Sequence, residues 1–360
     1  AGEQQLLEIM RALNTNPQVL ILDEPTASLS ASEIAPFLEF VKSLREKASV
    51  SIIFISHKIE EVFEISDKIA VFTDGKNTLT ANVEEVTQEQ CISAMLRRDR
   101  IKPLEIKPRD FSESEVVLDS KYAEYDGKKH NIEFKIHEHE IVGFYGLVGS
   151  GRTECFEMIA GLRPSKNKEL VHCGEQIKEV NAHEMIRKGV IMTPEKRANG
   201  MFRTLSLVDN ICMLFWEERL SSKLALVNFK KSAQFANEVL RKNKVKYSSS
   251  GQMISGLSGG NIQKIIIGRS IEVAGIRLLI LDEPTVGMDI GAKHGVYEQV
   301  RSFAEEKPSG VAFISSELDE LLAVCDTIYV FAGGNIIQGF HRSEFEKAKI
   351  LEAAIREKRV

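Results

Sequence analysis

The chain has 360 residues, of which 43% are hydrophobic and 28% charged, and its formal net charge is −5. A chain of this length usually forms two domains, and its scattered Lys and Arg residues indicate neither a nucleic-acid groove nor a polybasic membrane patch. No apolar run approaches the roughly 20 residues that a membrane span needs, so any membrane role would depend on a partner. The five cysteines lie far apart without a CxxC pair, which is typical of reduced thiols in a cytosolic protein.

Apolar residues at helical spacing predict a helix over residues 3–13, and a strand follows that begins at Val19 and ends in Asp23 and Glu24. Further strands and helices alternate after it, at about 31–47, 51–56, 58–65 and 68–72. Because alternating strands and helices form parallel sheets, residues 1–83 are expected to be an α/β domain.

Residues 84–110 are polar and contain Pro103 and Pro108, a composition typical of an interdomain linker. This stretch is also expected to contain a polar, charged helix at 88–98. The second domain, 111–360, is expected to open with strands near 115–119, 129–136 and 141–145.

An apolar run at Leu278–Leu281 predicts a buried parallel strand that ends in Asp282 and Glu283. Ligands of open α/β sheets bind beyond the carboxyl ends of the strands, where Asp282 can hold Mg²⁺ and Glu283 can orient an attacking water. A solvated acidic turn is the alternative. The same pattern occurs 259 residues earlier, at Asp23 and Glu24, and the match continues into the next helix and a glycine turn. This repeat indicates a duplicated domain.

The strand at 141–145 leads into GLVGSGRT, which differs from the phosphate-loop pattern GxxxxGK[ST] at one position. Glycines let backbone amides approach phosphate oxygens, and the helix that follows adds its dipole. Arg152 replaces the lysine, so it can grip a phosphate but cannot sit between the outer two as lysine does, while Thr153 can reach Mg²⁺. A glycine-rich turn without a ligand is the alternative. The candidate phosphate ligands are Gly146, Gly149, Ser150, Gly151, Arg152 and Thr153.

A third segment, LSGG, precedes a predicted helix and again presents amides and a hydroxyl to an anion. The chain already has one phosphate loop, so this segment is best explained if it faces a phosphate held by another domain. Its candidate residues, here called the signature turn, are Leu257, Ser258, Gly259 and Gly260.

The order of phosphate loop, LSGG and LILDEPT resembles that of ATP-binding-cassette ATPases. The resemblance implies the P-loop NTPase fold of that family, with tandem α/β cassettes, mostly parallel sheets, and antiparallel β and helical subdomains in the second. The repeat, with GLVGSGRT, TPEKRANGM, LSGGNIQK and SSELDE, is similar to the duplicated ATPase subunit of simple-sugar importers. GEQQ at Gly2–Gln5 resembles the end of a signature motif, so we expect an N-terminally truncated chain whose first cassette is partial.

The resemblance further implies head-to-tail cassette pairing, with each ATP between one phosphate loop and the opposite signature turn. One site would use Asp23 toward Mg²⁺, Glu24 as the water-orienting base, His57 at the γ-phosphate and the second cassette's signature turn.

The other site would use the loop at 146–153 with Asp282 and Glu283. Because it has Arg152 for lysine and Ser316 for histidine, we expect it to bind ATP but to hydrolyse it poorly or not at all.

Glu195, in TPEKR, falls where the resemblance places a glutamine that joins Mg²⁺ to the membrane-domain interface, although it can also be an exposed loop acid. Tyr122 and Tyr125 are candidates for stacking on adenine, or ordinary strand tyrosines. Trp216 and the run at 211–215 are expected in the core of a helical subdomain.

The resemblance therefore implies an ATP- and Mg²⁺-dependent ATPase that energises import of a simple sugar. Its partners would be integral membrane permease subunits and, indirectly, a periplasmic or extracellular sugar-binding protein, with no nucleic acid. It would lie at the cytoplasmic face of the membrane as a peripheral subunit. The alternatives are a soluble duplicated cassette protein acting on ribosomes or in DNA repair, and a simple nucleotide-binding module. The sugar itself stays open, because the ATPase does not touch it.

Overall fold

The computed structural model describes residues 2–15, 17–26, 29, 31–48, 50–56, 58–73, 75–96, 104–147, 149–178, 181–215, 220, 227–288 and 290–355. The chain divides into two compact units, residues 1–102 with 289–294 and residues 103–288 with 295–360. No helix in the part that the structure describes is long and apolar enough to cross a membrane.

The first unit combines a parallel strand pair with an antiparallel hairpin. Its elements are α1 (Gly2–Leu13), β1 (Val19–Asp23), α2 (Ala31–Ala48), β2 (Ser51–Ile55), α3 (Ile59–Ile65), β3 (Lys68–Thr73), β4 (Lys76–Asn82) and α4 (Gln88–Leu96). Strand β1 pairs with β2 in parallel, and β3 pairs with β4 in antiparallel fashion. The apolar core under β1 and α2 includes Leu20, Leu22, Phe37 and Leu38.

The second unit contains two sheets and a helical region. Its strands are β5 (Val116–Tyr125), β6 (Lys128–His137), β7 (Ile141–Tyr145), β8 (Lys166–His172), β9 (Glu175–Gln176), β10 (Val190–Thr193), β11 (Leu278–Asp282), β12 (Gly310–Ser315), β13 (Thr327–Ala332) and β14 (Asn335–His341). Its helices are α5 (Arg152–Ile159), α6 (Ala182–Arg187), α7 (Leu207–Cys212), α8 (Phe229–Lys242), α9 (Gly259–Ile271), α10 (Ile290–Glu306), α11 (Leu318–Val324) and α12 (Lys347–Ile355). The opening turn of α10 is counted with the first unit.

The main sheet has the strand order β10-β11-β12-β7-β13-β14. Neighbours from β10 to β13 are parallel, and only the β13–β14 pair is antiparallel. All five residues of β11 are buried, as expected for a strand covered on both faces. The predicted buried strand that ends in the acidic pair is therefore confirmed.

A second, antiparallel sheet of order β6-β5-β8-β9 shares its apolar core with the main sheet and α5. Helices α7, α8 and α9 bury a separate core that includes Ile211 and Phe215. The predicted fold class, α/β cassettes with antiparallel and helical subdomains in the second, is thus confirmed. Trp216 lies outside the described residues.

The duplication extends to the residue pairing within the two antiparallel hairpins. Strands β3 and β4 pair Lys68 with Asn82, and 259 residues later β13 and β14 pair Thr327 with His341. Both hairpins shift register at the same place, between Val71 and Phe72 in one and at the equivalent step in the other. The two segments thus have the same backbone form.

The predicted linker at 84–110 contains structure that belongs to the first unit. Helix α4 packs on β3 and β4, with Val86 and Cys91 buried against Ile69 and Val71. The second unit has a matching helix, α12, against β13 and β14. The boundary at Val83 stays a prediction, but this packing favours a first domain that extends to about Leu96.

A cavity of about 940 Å³ lies between β2 and β3, which line its walls. In the second unit, β7 lies between the two strands that correspond to β2 and β3. Strand β7 is also the one that leads into the phosphate loop.

Candidate functional site

The phosphate loop forms the sharp connection from β7 to α5. Gly151 has φ +93°, a left-handed conformation that favours glycine, and a Cβ on it would lie 2.7 Å from the Cα of Gly334. At Gly146 a Cβ would lie 2.7 Å from the backbone carbonyl oxygen of Phe331. Glycine is therefore required at both ends of the loop, which leaves the backbone open to a ligand at the start of α5.

Asp282 ends β11 beside this loop and is 1% exposed. The Thr153 hydroxyl donates to its Oδ1 at 3.2 Å. The pKa of Asp282 is raised to about 6, chiefly by burial and also by the negative charge of Glu195, against the lowering effect of the Thr153 hydrogen bond. A cation nearby would stabilise the ionised form of this buried carboxylate.

Glu283 has φ +43°, an uncommon conformation for a residue with a side chain. Its amide donates to the Ile314 carbonyl at 2.9 Å, which fixes the turn. Backbone strain of this kind concentrates at functional sites. Its Oε1 accepts from the Ser316 amide at 2.8 Å. Burial raises the pKa of Glu283 to about 7, against the lowering effect of Arg152.

Arg152 and Glu283 form a largely buried ion pair, with 3.4 Å between Nη2 and Oε1. Burial lowers the pKa of Arg152, while the charges of Glu283 and Asp282 raise it. The arginine in the lysine position therefore points to the carboxylate that is predicted to orient water.

Four buried polar atoms of this site have no hydrogen-bond partner, and they come from both the loop and the acidic pair. They are the Ser150 Oγ, the Arg152 Nη1, the Asp282 Oδ2 and the Glu283 Oε2. Buried polar atoms are normally bonded, so a cluster of orphans indicates a missing polar ligand. Donors beside a loop with open amides and two carboxylates fit a nucleotide phosphate with Mg²⁺.

The described residues contain no group of three or more His, Cys, Asp and Glu side chains placed to hold a metal. Mg²⁺ at Asp282 and Thr153 would take its other ligands from phosphate oxygens and waters, as is usual for this ion.

The first unit repeats the acidic turn without a described phosphate loop. Asp23 ends β1 and is exposed, and Glu24 has φ +45°, like its counterpart Glu283. The Glu24 amide donates to the Ile55 carbonyl at 2.9 Å. This bond is equivalent to the one between Glu283 and Ile314, 259 residues later. His57 lies outside the described residues, so its role stays a prediction.

The sequence did not predict a buried hydrogen-bonded pair that occurs once in each unit. Thr285 donates to Glu320 at 2.5 Å, and in the first unit Thr26 donates to Glu61 at 2.6 Å. Each pair ties the turn after the acidic residues to the helix that follows the next strand. Comparing the two halves of the repeat could have found it, because both the threonine and the glutamate recur at the same offset.

The signature turn begins α9 at a distance along the chain from the phosphate loop. Ser258 is the N-cap in an extended conformation, and its hydroxyl accepts from Asn261 at 2.9 Å without capping the helix backbone. Leu257 packs on the core of the helical region. Gly259 lies against the Arg197 guanidinium, since a Cβ there would lie 2.5 Å from the Arg197 Nη1, and Gly260 follows it in the first turn.

The remaining candidates differ in accessibility. Glu195 is exposed, yet its charge reaches Asp282. Tyr125 is 3% exposed and stacks on His130 at 4.1 Å between ring centroids, so its ring is committed to the core. Tyr122 is half-buried, with the Lys129 Nζ 4.4 Å from its ring centroid. Tyr122 is thus the better candidate for stacking on a base.

Comparison with known proteins gives concordant results. The profile of the ABC transporter family matches residues 1–27 and 129–286. The galactose/methyl galactoside import ATP-binding protein of Fusobacterium nucleatum is 35% identical over 354 residues, covering 98% of this chain and 70% of the relative. The ribose import ATP-binding protein of Bacillus subtilis is 35% identical over 358 residues, with the same coverage of 98% and 70%.

Solved structures share the fold. A crystal structure of the ADP conformation of an ATP-binding cassette of an ABC transporter gives a TM-score of 0.54 at 18% identity, over 67% of this chain and 98% of that one. A dimeric post-hydrolysis state of an ATP-binding cassette bound to ADP and Pi gives 0.53 at 18%, over 64% and 100%.

Proposed function

Because the chain belongs to the ABC transporter family, whose ATP-binding proteins are ATPases, we propose that it powers import of a simple sugar through separate permease subunits. The observation that carries the proposal is the 35% identity, over nearly the whole chain, to relatives named as galactose and ribose import ATP-binding proteins. Those names do not favour the ribosomal or DNA-repair alternatives.

The second cassette binds MgATP at the loop of residues 146–153. Amides of the loop and the start of α5 hold the phosphates, and Thr153 with Asp282 holds Mg²⁺. A bound Mg²⁺ would supply positive charge that neutralises the phosphates. The orphaned atoms at Ser150, Arg152 and Asp282 support this arrangement, since each gains a partner from phosphate or metal.

This second site hydrolyses ATP poorly. A water-orienting carboxylate acts as a base through its negative charge, but in Glu283 that charge is already paired with Arg152 through Oε1, which also accepts from the Ser316 amide. Ser316 also lacks the imidazole that the resemblance leads us to expect there. Hydrolysis is assigned instead to the site that uses Asp23, Glu24 and His57 with the opposite signature turn.

The exposed loop around Glu195 is the surface proposed to meet the permease. Phe202 is 59% exposed and Met253 is 61% exposed. Leu205 is also exposed, and its neighbour Ser206 forms an isolated β-bridge with Met253. Exposed apolar groups clustered near a charged loop are typical of a protein interface. The subunit would act at the cytoplasmic face of the membrane, with a sugar-binding protein engaged only through the permease.

The proposal is tested by assembling the protein with its permease in liposomes, adding the sugar-binding protein outside, and measuring uptake of a panel of radiolabelled simple sugars that includes ribose and galactose. We expect uptake of one simple sugar that requires internal MgATP and stops in Glu24→Gln. A complex that hydrolyses ATP but transports no sugar, or a protein that copurifies with ribosomes and not with a membrane permease, would contradict it.

A further inference from the structure

The loop of residues 194–201, here the Glu195 loop, is bonded to α9 by a buried arginine. Arg269, in the last turn of α9, donates from Nη2 to the Gly200 carbonyl and from Nη1 to the Asn210 carbonyl at 2.6 Å. The loop also packs directly on the helix, since a Cβ at Gly200 would lie 3.2 Å from the Ile266 Cδ1. One guanidinium therefore joins α9, the Glu195 loop and α7.

The charge of Arg269 has no counter-ion in the described part of the protein. The residue is 7% exposed, its Nε has no partner, and its described hydrogen bonds go to backbone carbonyls and to the Met213 sulfur. Burial lowers the pKa of Arg269 to about 10. Burying a charge costs more free energy than burying an apolar residue of similar size. We therefore infer that Arg269 serves to fix the geometry of the three segments.

A second arginine fixes the other end of the loop. Arg197 donates from Nη2 to the Val286 carbonyl, in the turn that follows Asp282 and Glu283. Its Nη1 lies against Gly259, where a Cβ would be only 2.5 Å away. The loop is therefore attached near both ends of α9, and the attachment through Arg197 also reaches the acidic turn.

Asn210 completes the network from the side of α7. Its side-chain oxygen accepts from the Phe202 amide at 2.8 Å, and its Nδ2 donates to the Phe202 carbonyl at 2.9 Å and the Ser206 carbonyl at 3.0 Å. Asn210 is fully buried. A satisfied buried network of this kind holds a single arrangement.

We propose that Arg269 and Arg197 are positioning residues that make the Glu195 loop and the signature helix α9 move as one body. A displacement of the loop by the permease then shifts the signature turn, and with it the ATP that faces this turn. The inference rests on the proposed function for the identity of the partner, but the mechanical link is a property of the chain alone.

The link is tested first in the purified protein. Arg269→Met removes both carbonyl bonds at similar volume, Arg269→Lys keeps the charge, and Arg241→Met, on the exposed face of α8, is the matched control. Hydrogen exchange of amides at 197–202 and 207–212 should become about 10-fold faster in Arg269→Met and change little in Arg241→Met. Unchanged exchange in Arg269→Met would overturn the proposal.

The consequence is tested in the permease complex. The ratio of ATPase rates with and without permease should fall about 10-fold in Arg269→Met, recover in part in Arg269→Lys, and stay at the wild-type value in Arg241→Met. MgATP affinity at the loop of residues 146–153 should stay within about twofold, which a general loss of structure would not allow. A ratio within twofold of wild type would overturn the coupling role.

Two outcomes separate this inference from the proposed function. If the wild-type ATPase is not stimulated by a permease, the proposed function fails and the coupling role fails with it, while the exchange data still decide the mechanical link. If Arg269→Met does not fold, the less buried Arg197→Gln replaces it in both assays, with the same expected losses and the same contradicting result.

Discussion

The ion pair between Arg152 and Glu283 should appear as a coupling energy between the two residues. Both side chains are about nine-tenths buried, with 3.4 Å between their charged atoms. At an effective dielectric constant near 20 the attraction at this distance is about 5 kcal/mol, and desolvation offsets part of it. Removing one partner of such a pair typically costs about 3 kcal/mol, because the other charge is left buried and unpaired.

We therefore expect Arg152→Met to lower the free energy of unfolding of the second unit by about 3 kcal/mol. In a Glu283→Gln background the same change should cost only about 1 kcal/mol, since no charge is left unpaired. Urea unfolding without Mg²⁺ or nucleotide gives the coupling for the four members of this double-mutant cycle, at a pH above the value of about 7 to which burial raises the pKa of Glu283, so that the carboxylate is ionised.

Arg163 provides the control, because it lies just beyond α5 and pairs with Glu157 and Asp126 at shorter distances but with its side chain 30% exposed. Arg163→Met should cost no more than about 1 kcal/mol. Single changes at Arg152 and Glu283 that add within about 0.5 kcal/mol would refute the reasoning. Saturating MgATP should reduce the coupling, because phosphate then competes for Arg152.

Other predictions follow from the asymmetry of the two sites. In the permease-bound complex Glu24→Gln should abolish steady-state ATPase activity, whereas Glu283→Gln should slow it far less; the opposite order would reverse the assignment of the sites. His57→Ala should resemble Glu24→Gln in that assay, and so should Ser258→Arg, since it obstructs the phosphate of the same site. Thr285→Val should lower the free energy of unfolding by about 1–3 kcal/mol, because its buried glutamate partner loses a donor; thermal unfolding that matches wild type would contradict this.

The parts of the protein that were predictable are those encoded in consecutive residues. The run at Leu278–Leu281 has no polar interruption, so a buried strand ending in two carboxylates follows from the sequence. The phosphate loop is also local, because glycine spacing alone defines the turn between β7 and α5. The 259-residue repeat then predicted two acidic turns, and both have the same left-handed glutamate.

The contacts that could not be predicted join residues far apart in sequence. Nothing in GLVGSGRT indicates that Arg152 meets Glu283, 131 positions later, because that distance depends on how β7 and β11 are placed across β12. From the sequence, Arg269 is expected to be an ordinary exposed cation on a helix, because nothing in the sequence indicates that it is buried. Helix α4 was included in the predicted linker because its overall composition is polar. The one face that packs on the β3–β4 hairpin is not evident from that composition.

The most direct test of the nucleotide site is a titration of the purified 360-residue chain, whose first unit has no described phosphate loop, with a fluorescent ATP analogue, with phosphate release measured in the same samples. We predict saturable binding of one nucleotide at the loop of residues 146–153, strengthened by Mg²⁺ in the wild type but not in Asp282→Ala, together with negligible phosphate release. Robust turnover that Glu283→Gln abolishes, or no Mg²⁺-dependent binding at all, would contradict the account.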